Sequence, residues 1–146
     1  MARGMRFSEF EVDAAFTSGG RTITEADVVM FAGLSGDFNP LHTDATFAAR
    51  TPFKQRIAHG MLAASVSTGL GQTLGIFEGT TLALLAQTFE YKAPVFFGDT
   101  IRLRLTVVAT KPSSKGGKGV VTLGSEILNQ DDVAVVTGTW TVMFRD

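Results

Sequence analysis

The stretch from Ile57 to Phe77, IAHGMLAASVSTGLGQTLGIF, contains no Asp, Glu, Lys or Arg. A helix without a charged face is buried in something, either a bilayer or the rest of its own domain. The segment is long enough to cross a bilayer, but its composition favours a domain interior. Four glycines together with Ser65, Ser67, Thr68, Gln72 and Thr73 dilute the apolar content, and no second span or flanking aromatic belt accompanies it. The segment is therefore predicted to form the principal helix, from about Gly60 to Leu74. Gly69 and Gly71 inside it each cost about 1 kcal/mol against alanine, a penalty that close backbone packing would offset.

With 146 residues the chain is of ordinary single-domain size and can bury a core around such a helix without a staple or a second domain. Residues 1–146 are read as one domain. Thirteen basic against fourteen acidic residues leave a net charge of −1, with no basic stripe for nucleic acid and no acidic tail. Cysteine is absent, which excludes disulfides, thiolate nucleophiles and cysteine-based metal sites. The N-terminal MARGMRFSEFEVDAAF is broken by charges and lacks the continuous apolar core of a signal peptide. A cytoplasmic protein without membrane attachment is expected.

Local patterns supply the remaining elements. In TITEADVVMFAGLSG, Thr24 is placed to cap a helix with Asp27 three positions on, followed by Val28, Met30, Phe31 and Leu34 at helical spacing. That helix should run from about Glu25 to Leu34, and DATFAAR forms a short one after it. The second half changes period. TIRLRLTVV alternates Ile101, Leu103, Leu105 and Val107 with Arg102, Arg104 and Thr106, as a strand with one wet face does. LALLAQTFEYKAPVF before it, and GVVTLGSEIL and VAVVTGTWTVMF after it, read as further antiparallel strands joined in sequence, with TKPSSKGGKG as a basic hairpin connection. An early strand, two helices and a four-strand run make an α+β order. A curved antiparallel sheet wrapped around the long charge-free helix, hiding it on nearly every side, is the hot-dog fold.

Between the two helices lies SGDFNPLHTD, residues 35–44, which brings Asp37 and His42 to either side of an Asn-Pro dipeptide. Five positions of separation would turn the two side chains well apart on a regular helix. A bent loop can bring them together: Pro40 fixes its own φ and biases Asn39 towards an extended conformation, and Gly36 eases the approach. Spacing alone leaves two readings open. Asp37 and Asn39 could simply form turns around an interior imidazole, or the loop could be a place where protons are moved.

FAGLSGDFNPLHTDATFA together with IAHGMLAAS resembles the signature of the MaoC-like dehydratases, the (R)-specific enoyl-CoA hydratases also called hydratase 2. The similarity extends over most of the chain and includes YKAPVFFGDTI at 91–101. It implies a hot-dog homodimer with sheets joined edge to edge, and reversible hydration of a trans-2-enoyl-CoA to the (R)-3-hydroxyacyl-CoA without a cofactor. Asp37 and His42 match the family's catalytic dyad, and Gly60 of AHG matches its oxyanion donor.

The residue types suit that chemistry. Adding water across an enoyl thioester needs a base for the water, an acid for the α-carbon and a donor for the enolate oxygen. Asp37 is assigned as the main base, with His42 orienting the water and relaying the proton. A first-turn N–H at Gly60 is unsatisfied within its helix, sits at the positive end of the dipole, and has no Cβ beside it. Ser65 and Thr68 either hydrogen-bond Asp37 or bond back to carbonyls of their own helix, and the sequence leaves both open. His59 is read as a packing residue at the helix start. Lys54, Arg56, Lys92 and the basic hairpin are candidates for the coenzyme A phosphates, though a solvated surface is the better reading for each individually. The rival readings are an acyl-CoA thioesterase and a non-catalytic acyl-CoA-binding module of the same fold.

Overall fold

A computed structural model describes residues 4–146. After a 3-10 turn at Phe7–Glu9, the chain runs through strands β1 (Ala15–Thr17) and β2 (Arg21–Thr22) into four helices. These are α1 (Glu25–Ser35), α2 (Pro40–Thr43), α3 (Ala45–Ala48) and α4 (Gly60–Gln72). Strands β3 (Thr81–Tyr91), β4 (Thr100–Pro112), β5 (Lys118–Leu128) and β6 (Ala134–Arg145) complete it. Every strand pairing is antiparallel.

The alternation in β4 behaves as its period requires. Ile101, Leu103, Leu105 and Val107 are wholly buried, and Arg102, Arg104 and Thr106 face out. Val121 and Leu123 of β5, with Trp140, Val142 and Phe144 of β6, continue that inner face. Against it lies α4, burying Leu62, Ala63, Val66, Ser67 and Leu70. This is the hot-dog arrangement, an antiparallel sheet packed around one helix.

Three expectations are modified. The strands follow one another in space only from β4 to β6; the sheet order is β1-β4-β5-β6-β3, so β3 lies outside β6 and the chain crosses over before β4. Second, the helix is not hidden on nearly every side. Met61, Ser65, Thr68 and Gln72 form an exposed stripe, because a single sheet covers only one side of a cylinder. Third, α1 buries only Val28 and Ala32, leaving Met30 and Leu34 exposed on the opposite side of the helix.

Two glycines show what close packing requires. A Cβ on Gly71 would sit 3.1 Å from the Trp140 ring, so α4 lies tight on β6 there, whereas one on Gly69 would meet nothing within 4 Å. Packing thus accounts for Gly71 and not for Gly69. At Gly138 a Cβ would fall 1.8 Å from the Thr88 carbonyl oxygen, so β3 and β6 can approach as they do only with glycine at this position.

Candidate active site

Local chemistry shapes the loop after α1. Thr24 and Asp27 form the reciprocal capping box that starts the helix, and Gly36, at φ 77°, ends it in the left-handed conformation. Asn39 N–H donates to Asp37 Oδ1 at 3.1 Å, and Leu41 N–H donates to Asn39 Oδ1 at 3.0 Å. Two consecutive side-chain turns thus fold residues 37–41 back on themselves, and Pro40 opens the single turn of α2 that carries His42.

The imidazole of His42 is held by its Nδ1, 2.7 Å from the Ile57 carbonyl. A carbonyl oxygen only accepts, so that nitrogen carries the proton and the Nε2 lone pair is left free. His59, 3% exposed, caps the start of α4 in sequence position without giving it a side-chain hydrogen bond. By the same argument its Nε2, 2.9 Å from the Asp37 carbonyl oxygen, is the protonated nitrogen. The two rings stack, and the potential ligand atoms of Asp37, His42 and His59 all lie within 4.8 Å of one another.

Such a trio is of the kind that can hold a divalent ion. Here one nitrogen of each ring is committed to a backbone carbonyl, which leaves one nitrogen per ring for a further partner. The arrangement suits the holding and passing of a proton better than chelation.

His42, His59 and Gly60 line a cavity of about 390 Å³ whose other walls include Phe53, Met61, Tyr91 and Val136. Gly60 is the first residue of α4, and no side chain caps that end of the helix, so its amide end faces an apolar pocket. A Cβ at Gly60 would lie 2.6 Å from Tyr91 Cε1.

The other sequence candidates are placed differently. Ser65 donates to the Met61 carbonyl and Thr68 to the Ser65 carbonyl, both at 2.7 Å. Their protons are spent within α4, neither hydrogen-bonds Asp37, and each lines a different cavity from that of His42. Arg56 pairs with Glu25 and lies 4.9 Å over the Phe97 ring, whereas Lys92 pairs with Glu90 and lines the same cavity as His42 and Gly60. The contribution that sequence reasoning undervalued is that of His59. A polar ring directly before Gly60 in an uncharged segment must find a partner when buried, and that requirement was its signal.

Comparison with known proteins gives a consistent picture. Residues 10–128 match the family model described as MaoC like domain. The (R)-specific enoyl-CoA hydratase of Aeromonas caviae is 43% identical over 114 residues, which is 77% of this chain and 80% of that protein. Among solved structures, a monoamine oxidase regulatory protein from Archaeoglobus fulgius superposes with a TM-score of 0.90 at 34% identity, covering 100% of this chain and 98% of that one. The unliganded R-hydratase of Pseudomonas aeruginosa does so with a TM-score of 0.81 at 34% identity, covering 98% and 87%.

Proposed function

The chain belongs to the MaoC-like domain family, and from that premise we propose that it catalyses the reversible hydration of a trans-2-enoyl-CoA to the (R)-3-hydroxyacyl-CoA. The observation that carries this reading is the meeting of His42 and the uncapped amide end of α4 at Gly60 on one cavity, with the Asp37 carboxylate within 4.8 Å of the imidazole.

Each group has a task. The thioester carbonyl lies against Gly60 N–H, where the helix dipole and an unpaired donor stabilise the enolate oxygen as it forms. Water is held between Asp37 and His42. Asp37 takes its proton while the oxygen adds to the β-carbon, and that same proton passes from Asp37 by way of the Nε2 of His42, oriented by the Ile57 carbonyl, to the α-carbon, so that both side chains return to their starting states. The bond formed at each carbon replaces the conjugated double bond, and no redox partner is needed.

The reading also includes a second copy of the chain and a cytoplasmic setting. Among the described residues strand β3 pairs only with β6, so its other edge is open, and Leu82, Leu84 and Leu85 on it are about half exposed. The uncovered stripe of α4 provides further surface for a partner. An edge-to-edge homodimer would pair the first and bury much of the second. Among the described residues no helix is long and apolar enough to cross a membrane.

The experiment is an absorbance assay at the conjugated enoyl thioester band, run with and without a thiol reagent. Hydration removes the absorbance without releasing thiol. Release of free thiol would mean hydrolysis, and unchanged absorbance with measurable binding would mean a binding module; either result would overturn the proposal.

A further inference from the structure

Tyr91 is the last residue of β3, where it pairs with Val136, and the backbone beyond it is fixed as well, Lys92 N–H donating to the Val135 carbonyl at 2.9 Å. Its ring lines the cavity of His42 and Gly60 and packs against the first turn of α4. A Cβ built on Gly60 would lie 2.6 Å from Cε1, 2.7 Å from Cδ1 and 3.1 Å from Cζ of that ring. One edge of the phenol thus occupies the space that a side chain at position 60 would take. Cζ, the carbon that bears the hydroxyl, belongs to that edge.

The contact has a direction. In a helix the Cα–Cβ bond tilts towards the N-terminus, and the N–H of a first-turn residue points the same way. A ring standing where a Gly60 Cβ would point therefore stands at the amide end of α4. Its hydroxyl is one covalent bond beyond an atom already in contact there, so an oxygen that accepts from Gly60 N–H comes within its reach.

The hydroxyl is also free to act. Tyr91 is 52% exposed, and among the described residues its oxygen makes no hydrogen bond. Solvent satisfies a half-exposed hydroxyl, so it stays unpaired within the protein without the penalty of a buried one and can be turned to a ligand. The other side-chain donors on this cavity are committed: His42 Nδ1 to the Ile57 carbonyl, His59 Nε2 to the Asp37 carbonyl and Lys92 to Glu90. Volume alone does not call for the oxygen, since phenylalanine fills the same space. The chain uses phenylalanine 12 times and tyrosine once, at this cavity.

We propose that the Tyr91 hydroxyl is a second donor to the thioester oxygen, sharing it with Gly60 N–H. The inference rests on the hydration reading of this cavity and adds a catalytic residue to it. The enolate oxygen has lone pairs for two donors, and a phenol O–H stabilises the charge where it develops while keeping its own proton. The proton that reaches the α-carbon still comes by way of His42.

Tyr91→Phe keeps the ring against Gly60 and removes only the oxygen. The melting temperature should be unchanged, kcat for hydration should fall at least about tenfold, and KM should change less, because the donor acts most strongly once charge has moved to the oxygen. Both proteins are then given a saturated acyl-CoA isotopically labelled at the thioester carbonyl, and its stretch is read by isotope-edited infrared spectroscopy. A donor polarises the C=O bond and lowers its frequency, so the band of the variant complex is expected at higher frequency than that of the wild type. An unmoved band would overturn the proposal whatever happens to kcat, and so would unchanged turnover in the folded variant. A variant altered only in self-association would assign Tyr91 to a contact between copies and overturn it too. If the wild type hydrates no enoyl-CoA and the band still moves on substitution, the reaction falls and the contact with the thioester oxygen stands.

Discussion

The imidazoles of His42 and His59 stack with ring centroids 3.8 Å apart and planes 27° apart, each fastened on its far side to a backbone carbonyl. His59 thereby holds two parts of the site at once: the ring of His42 by contact and the backbone of Asp37 by its Nε2–H. His59→Phe keeps the ring and loses the donor, leaving the buried-side contact of the Asp37 carbonyl unmade. We expect kcat to fall about tenfold or more with a smaller change in KM, because the loop loses its alignment rather than its chemistry. His59→Gln, which can still donate, should recover part of that loss. Equal kcat in the two variants would assign the histidine to packing alone.

Asp37→Asn and His42→Gln remove the proton carriers without changing size. Each should cut kcat by at least about a hundredfold while leaving the melting temperature nearly unchanged, as Asp37 is exposed and His42 only half-buried. A folded Asp37→Asn enzyme with normal turnover would remove the mechanism.

Gly60→Ala separates the oxyanion donor from the proton carriers. The new methyl group would press on Tyr91 at 2.6 Å and crowd the thioester carbonyl. A displaced donor costs about 3 kcal/mol of barrier, to be read in kcat, whereas a residue that only packs would change the melting temperature and spare turnover per folded molecule. Measuring both on one preparation decides between them.

Gly138→Ala tests the sheet. With a Cβ 1.8 Å from the Thr88 oxygen, β3 must detach from β6 or shift, and a loss of about 3 kcal/mol or failure to fold is expected in denaturant unfolding. Wild-type stability in this variant would mean that the two strands are not in the register described.

Asp27 supplies a pH dependence. Its carboxylate is held below the usual range, chiefly by the backbone N–H of Thr24 and, with smaller contributions, by the Thr24 hydroxyl and Arg21, against the opposing effect of burial. A depressed folded pKa means that the stabilisation is complete above the unfolded value of 3.8 and is lost as pH falls through the folded one. Asp27→Asn should cost about 1 kcal/mol at neutral pH and flatten the part of the acid unfolding curve that arises below pH 4. Parallel acid limbs in the two proteins would exclude the capping role.

The sequence by itself determined the features whose cause is local. The alternation of β4, the Thr24–Asp27 box and the uncharged run of α4 each have a period or a hydrogen-bond pattern contained within a dozen neighbouring residues, and each formed where that pattern lies. The bend that gathers Asp37 and His42 was legible for the same reason, since Asn39 and Pro40 act on the backbone next to them. Tertiary structure decided what depends on distant surfaces meeting. That β3 pairs with β6 rather than β4 follows from a crossover of the chain, to which strand periodicity is blind. Whether Met30 and Leu34 are covered depends on which side of α1 meets the core. Ser65 and Thr68 were ambiguous because a helix carbonyl is always within their reach, and only the distance to Asp37 selects between partners. His59 became part of the site because two segments 22 residues apart put an imidazole N–H against the Asp37 carbonyl. Sequence spacing does not encode such a contact, because it is the packing of α1 against α4 that creates it.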